Sequence, residues 1–155
     1  MEIEFLEPYH EWFMLIHILS AIGAVGGNVA YAFWLSFAEG DRGHVDFAVR
    51  GIQRMDRILT GPSYGVLLLS GIVLMLAEGW PLSEFWLLTG IVLYVIAGLV
   101  SFLFLMPALR GQLALAGGLG SADYQAAARR TRLVAWLVIG IVAAVAWLMV
   151  LKPVL

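Results

Sequence analysis

From Phe85 to Leu105 the chain reads FWLLTGIVLYVIAGLVSFLFL, with no Asp, Glu, Lys or Arg. A helix rises ~1.5 Å per residue, so a run of about 20 residues reaches across the ~30 Å hydrocarbon layer of a bilayer. A membrane β-strand would be about half as long and would alternate in polarity. This run does neither. Trp12–Phe37, Ile58–Ala77 and Leu133–Leu151 have the same character. Hydrophobic residues make up 62% of the 155 residues and charged residues 13%, against roughly 45–50% and about 25% in a soluble domain. A soluble fold would lack polar surface to cover itself. The reading is therefore an all-α membrane protein, a single domain of residues 1–155 forming a four-transmembrane-helix bundle.

The cations set the orientation. Arg42, Arg50, Arg54 and Arg57 lie in the first connection, and Arg110, Arg129, Arg130 and Arg132 in the third. The second connection, residues 78–84, has none. The segment before Trp12 carries acids and no Lys or Arg, and Lys152 stands alone at the other terminus. Positive loops stay in the cytoplasm, which predicts an N-out/C-out protein with both termini on the non-cytoplasmic side. Trp12, Trp80, Trp86 and Trp147 then fall at the outer helix ends and Trp34 and Trp136 near the inner ends, as two aromatic belts. The acidic start, Met-Glu-Ile-Glu-Phe-Leu-Glu, lacks the positive region of a cleaved signal peptide, so the first helix is expected to be retained.

The inner connections carry their own pattern. Val45, Ala48, Val49, Ile52, Met55 and Leu59 form a helical stripe, which predicts a cytoplasmic amphipathic segment over 45–57. It either lies on the inner surface or extends the second span. Ser121 offers an N-cap for a helix running into the fourth span. Pro62 is read as a first-turn proline, where a missing N–H costs little, and Pro107 as structural. Small residues let helices meet in lipid. Gly23, Gly26 and Gly27 form such a face, which suits helix packing or leaves room for a flat cofactor. Asn28, Tyr31, Tyr64, Thr89 and Tyr94 are polar at membrane depth and are expected to face the interior.

His17 is the one imidazole inside a span. It lies ~7.5 Å along the axis from Trp12, in the outer leaflet. An ionisable group at that depth points to a functional site, and neutral imidazole ligates haem iron or copper. The plainer account is a neutral histidine bonded to a neighbouring helix. His10, Met14 and His17 share one helix face, and imidazole with thioether suits Cu(I). Arg54, Asp56 and Arg57 gather where the second span enters lipid, as a headgroup anchor or an anion clamp. His44 reads as a solvated loop residue. Phosphate-loop, zinc-protease and hydrolase-elbow motifs are absent from the sequence, and the net charge of −2 gives no footprint for nucleic acid.

The stretch Leu15-Ile-His-Ile, then Gly26-Gly, then Phe37-Ala-Glu39, resembles the first helix of a bacterial family of predicted integral membrane proteins of unknown function. More distantly it resembles HemJ-type protoporphyrinogen oxidases and the membrane part of copper resistance protein D. Arg54-Met-Asp-Arg57, Pro62, and Gly71 leading to Leu74-Met-Leu-Ala77 resemble the second helix of the unknown family and of HemJ. Val150-Leu-Lys-Pro153 is similar to their shared ending. Resemblance to HemJ implies b-type haem with His17 as an axial ligand. It also implies a lysine in the third helix, where this chain has Thr89-Gly90.

Two functional readings follow. One is a membrane haem b protein, redox-active, ligated by His17. The other is a non-catalytic membrane subunit or scaffold that packs through its small-residue faces as a homo-oligomer or on a membrane partner. Copper at the His10, Met14 and His17 stripe is a third.

Overall fold

The computed structural model describes residues 8–38, 42–118 and 120–153. The acidic segment 1–7, Glu39 and Leu119 lie outside the described residues, as does the side chain of Arg42. Apart from the turn at 79–84 and short links, the described chain is helical. α1 is His10–Ala38, α2 Arg42–Met55, α3 Gly61–Glu78, α4 Phe85–Val100, α5 Met106–Ala114 and α6 Ala122–Leu151. Single π-helical turns, Asp56–Thr60 and Ser101–Leu105, join α2 to α3 and α4 to α5. Four rods result, each long and apolar enough to cross a membrane.

The two π turns correct the reading of Pro62. It does not open a helix: α2 runs into α3 without a break, so the amphipathic segment extends the second span. A proline inside a helix lacks an N–H, and its ring crowds the carbonyl four residues back. Widening one turn relieves that crowding. In both rods the residue before the proline donates its N–H to a carbonyl five residues back, Gly61 to Asp56 and Met106 to Ser101. Pro62 and Pro107 stand in the same relation to their π turns, so one cause accounts for both.

Burial along α1 reverses the pattern of a soluble helix. Its buried positions are Ser20, Ala24, Gly27, Asn28, Tyr31, Leu35 and Ala38, mostly small or polar. Leu19, Ile22, Phe33 and Phe37 point outward. Lipid supplies no hydrophobic force between helices, so small and hydrogen-bonding residues line the seam while large apolar side chains face the acyl chains. α1 packs on α3 and α6, and α4 packs on α6. α3 and α4, although joined by a short turn, keep their backbones apart. Tyr94 Oη bridges them by donating to the Tyr64 carbonyl at 2.5 Å.

Three apolar clusters stack along the bundle. The largest joins α1, α2, α5 and α6 at the arginine-bearing end, around Tyr31, Val49, Ile52, Leu109 and Tyr124. A middle cluster centres on Ala97, Val138 and Val142. The third, at the opposite end, holds Trp86, Leu87 and Leu148. Trp86 is therefore buried, a correction to its place in the outer aromatic belt, whereas Trp12, Trp34, Trp136 and Trp147 are exposed as belt residues should be. Ser121 caps α6, its Oγ accepting from the Tyr124 N–H at 3.2 Å. His44 lies in the first turns of α2 rather than in a loop, because the helix starts at Arg42.

Candidate functional site on the α1–α3 seam

α1 and the α2–α3 rod run antiparallel, and their facing residues keep one register. Starting from the arginine-bearing end, Tyr31 meets Asp56, Gly27 meets Thr60, Gly23 meets Ser63, His17 meets Ser70 and His10 meets Glu78. Glycine on α1 stands opposite a hydroxyl on the partner at two of these steps. A Cβ on Gly27 would fall 2.1 Å from Thr60 Oγ1, and one on Gly23 2.6 Å from Ser63 Oγ. The space left by these two glycines is thus filled from within the chain. Of the two uses read for them, helix packing is the one they serve. Gly26, one position round, meets nothing within 4 Å.

His17 is half-buried on this seam. Its Nδ1 lies 3.0 Å from Ser70 Oγ. Ser70 has one proton, and its Oγ lies 2.7 Å from the Val66 carbonyl, to which it donates. The serine oxygen therefore accepts from His17 Nδ1–H, the bond of the tautomer in which Nε2 carries the ring's lone pair, and the Leu67 backbone is a second hydrogen-bond partner of the ring. The ring lies against Gly71, where an added Cβ would come within 3.0 Å of His17 Cε1. Serine, then glycine, on α3 gives the ring a hydrogen-bond anchor and a flat seat. Ser70 was not singled out in the sequence. Its signal is the spacing of hydroxyls on the second span, Thr60, Ser63 and Ser70, which matches Gly27, Gly23 and His17 once the helices are taken as antiparallel.

Nearer the arginines the polar residues form an interhelical knot. Asn28 Nδ2 donates to the Ala24 carbonyl at 3.1 Å and to Tyr64 Oη. Tyr31 Oη donates to Asp56 Oδ1 at 3.3 Å. The Tyr64 and Tyr94 rings meet edge to face at 5.9 Å. As expected for polar groups at membrane depth, these four face the interior and bond across helices.

At the other end, His10 Nε2 donates to Glu78 Oε1 at 2.9 Å, and Trp80 Nε1 donates to Glu78 Oε2. Lys152 Nζ lies 4.7 Å from the Trp80 ring and 5.1 Å from the Trp86 ring, which are themselves edge to face. Lys152 holds φ at 43°, a backbone region that side chains seldom adopt, and this turn aims its cation at the two indoles. The cluster ties α1, the α3–α4 turn and the end of α6 together.

Glu78 lies past the apolar run that ends at Ala77. Burial works against its ionisation, but hydrogen bonds from His10 and Trp80 and the Lys152 charge outweigh that and hold its carboxyl below the usual range. A carboxylate lowered in the folded state stabilises the fold above its unfolded pKa, and the contribution is lost as pH falls through the lower folded value. Acidification below about pH 4.3, the ordinary glutamate value, is expected to lower the thermal midpoint of the detergent-solubilised protein. Glu78→Gln should show a smaller drop over that range. Equal drops would remove Glu78 as the cause.

Each histidine of the His10, Met14 and His17 stripe has a partner on α3. His10 is tied to Glu78 and His17 to Ser70, while Met14 is exposed between them. Among the described residues no group of three His, Asp or Glu is placed to hold a metal. Arg54 and Arg57 are exposed, and Asp56 turns inward to Tyr31, so the three do not close on one another.

Four membrane-capable rods, lipid-facing bulk and a polar interior seam define a polytopic helical membrane protein. Residues 12–153 match the family described as predicted integral membrane protein (DUF2269), and the chain belongs to that family. Comparison with curated proteins and with solved structures gave no match.

Proposed function

We propose that this protein sits in the bacterial inner membrane with both termini outside, and that it holds a haem b through Nε2 of His17. One observation carries the reading: Ser70 accepts from the His17 Nδ1–H at membrane depth, and in that tautomer Nε2 carries the ring's lone pair. Histidines that ligate metals typically donate their other N–H in this way, which sets the tautomer and the ring's aim. The donor chemistry therefore fits haem iron. Ser70 is the positioning residue, and Gly71 holds the ring's edge. The likeness of Leu15-Ile-His-Ile to the first helix of HemJ supports the same assignment. When bound, the haem would supply one-electron chemistry. The chain's part is to orient the imidazole and keep water from it. Thr89-Gly90 replaces the HemJ lysine, so oxidation of protoporphyrinogen is not part of this proposal.

The absorption spectrum of the full chain, expressed with haem supply and purified in detergent, tests it. A Soret band that is lost in His17→Ala is expected. A colourless protein, or a band unchanged in His17→Ala, would instead favour the non-catalytic subunit, in which His17 and Ser70 only join two helices.

A further inference from the structure

The α1–α3 seam holds a carboxylate at its arginine-bearing end. Asp56 opens the first π turn, is half-buried and turns inward to Tyr31. Arg54 and Arg57, its near neighbours in the chain, are exposed. Among the described residues no Lys, Arg or His closes on the Asp56 carboxyl. A carboxylate withdrawn from water needs an opposite charge, supplied by an ion pair or by a bound metal ion.

Two features of the oxygens around it favour the metal ion. Tyr31 Oη stands 3.3 Å from Asp56 Oδ1, whereas a hydroxyl bonded to a carboxylate closes to about 2.5–2.7 Å. The pair is held open. Oxygens around a cation of calcium's or sodium's size lie about 2.3–2.6 Å from it, so two at right angles stand about 3.3–3.7 Å apart. The second feature is Thr60, which is 1% exposed. Its Oγ1 faces Tyr31 Oη but closes no hydrogen bond. Thr131, equally buried, donates its hydroxyl to the carbonyl four residues back, Ala127 at 3.1 Å. The carbonyl four residues before Thr60 is that of Asp56, which the π turn gives to the Gly61 N–H.

We propose that Asp56 Oδ1, Tyr31 Oη and Thr60 Oγ1 bind one sodium ion between α1 and the π turn. Hard oxygen donors suit such a cation, and a single carboxylate balances a single positive charge, where a divalent ion calls for more. The ligands come from two rods, so the ion ties them together and stabilises the fold by mass action. The proposal is independent of haem.

The thermal midpoint of the full chain in detergent tests it, with sodium chloride exchanged for choline chloride at constant ionic strength. Sodium is expected to raise the midpoint saturably and choline to leave it unchanged. Potassium, whose ligands stand further apart, should raise it less. Asp56→Asn keeps the side chain's shape, removes its charge and should abolish the rise. Thr60→Val removes a hydroxyl that makes no hydrogen bond, so in sodium-free buffer it should be at least as stable as wild type. It should nevertheless need at least about tenfold more sodium for half the rise, as loss of one charge-assisted contact predicts. Asp123→Asn, at an exposed carboxylate on α6, should respond as wild type. Equal rises with sodium and choline, or with sodium and potassium, would overturn the proposal. So would an undiminished rise in Asp56→Asn or in folded Thr60→Val, or a loss in Asp123→Asn equal to that in Asp56→Asn.

Discussion

Gly27→Leu is expected to prevent the protein from being purified as a folded, monodisperse species, whereas Gly26→Leu should behave as wild type. The two glycines are neighbours on one helix and differ only in what they face. A Cβ at 27 would lie 2.1 Å from Thr60 Oγ1, 3.0 Å from Thr60 Cγ2 and 3.1 Å from Thr60 Cβ. Rotating the threonine moves the first two atoms and not the third. Thr60 is buried, so the seam itself must open. Overpacking of this kind costs about 1–3 kcal/mol, and a leucine in a glycine-width seam belongs at or above the top of that range. Thermal midpoints and size-exclusion profiles in detergent check the contrast. Gly27→Ala made together with Thr60→Ala should recover part of what Gly27→Ala alone loses, since the partner's Oγ1 and Cγ2 are gone. If both leucine variants prove equally stable, the register of α1 on α3 is wrong. The loss should not depend on protein concentration, because the contact lies within one chain. That separates it from an oligomer held by the same glycines.

The second large effect concerns the imidazole. His17→Ala removes the proposed ligand atom and should abolish the Soret band. Ser70→Ala leaves the ligand in place and removes only the group that aims it. Changes to such outer partners typically weaken metal binding by about 10- to 100-fold. Ser70→Ala is therefore expected to retain colour at high haem concentration and lose it on dilution, while Ser70→Thr, which keeps the hydroxyl, should stay near wild type. A titration of apoprotein with haem reads all three. If Ser70→Ala binds as tightly as wild type, the serine is a packing residue and nothing more.

Length and apolarity made the four crossings legible, because a bilayer imposes a minimum run that no other environment demands. The cap at Ser121 was legible too, being a local hydrogen bond between residues three apart. What the sequence hid depends on partners distant in the chain. Pro62 looks like a helix start when the rod before it is unknown, and becomes an interior proline only once α2 is seen to continue through it. Trp86 fits a belt by position, yet the return of α6 places Lys152 over it and buries it. Ser70 has no local mark: it matters because the register of α1 puts His17 beside it. Gly27 was recognised as a close-approach residue, but the side chain that approaches could not be named without that register.

Threading through the membrane is the premise under the ligand assignment. The chain has no cysteine, so single cysteines placed at Ser83, in the turn between α3 and α4, and at Asp123, at the start of α6, can each be labelled without background. A maleimide that cannot cross membranes should label Ser83→Cys in intact cells or spheroplasts and leave Asp123→Cys untouched until the cells are broken. Labelling of Asp123→Cys in intact cells, or protection of Ser83→Cys, would contradict the account.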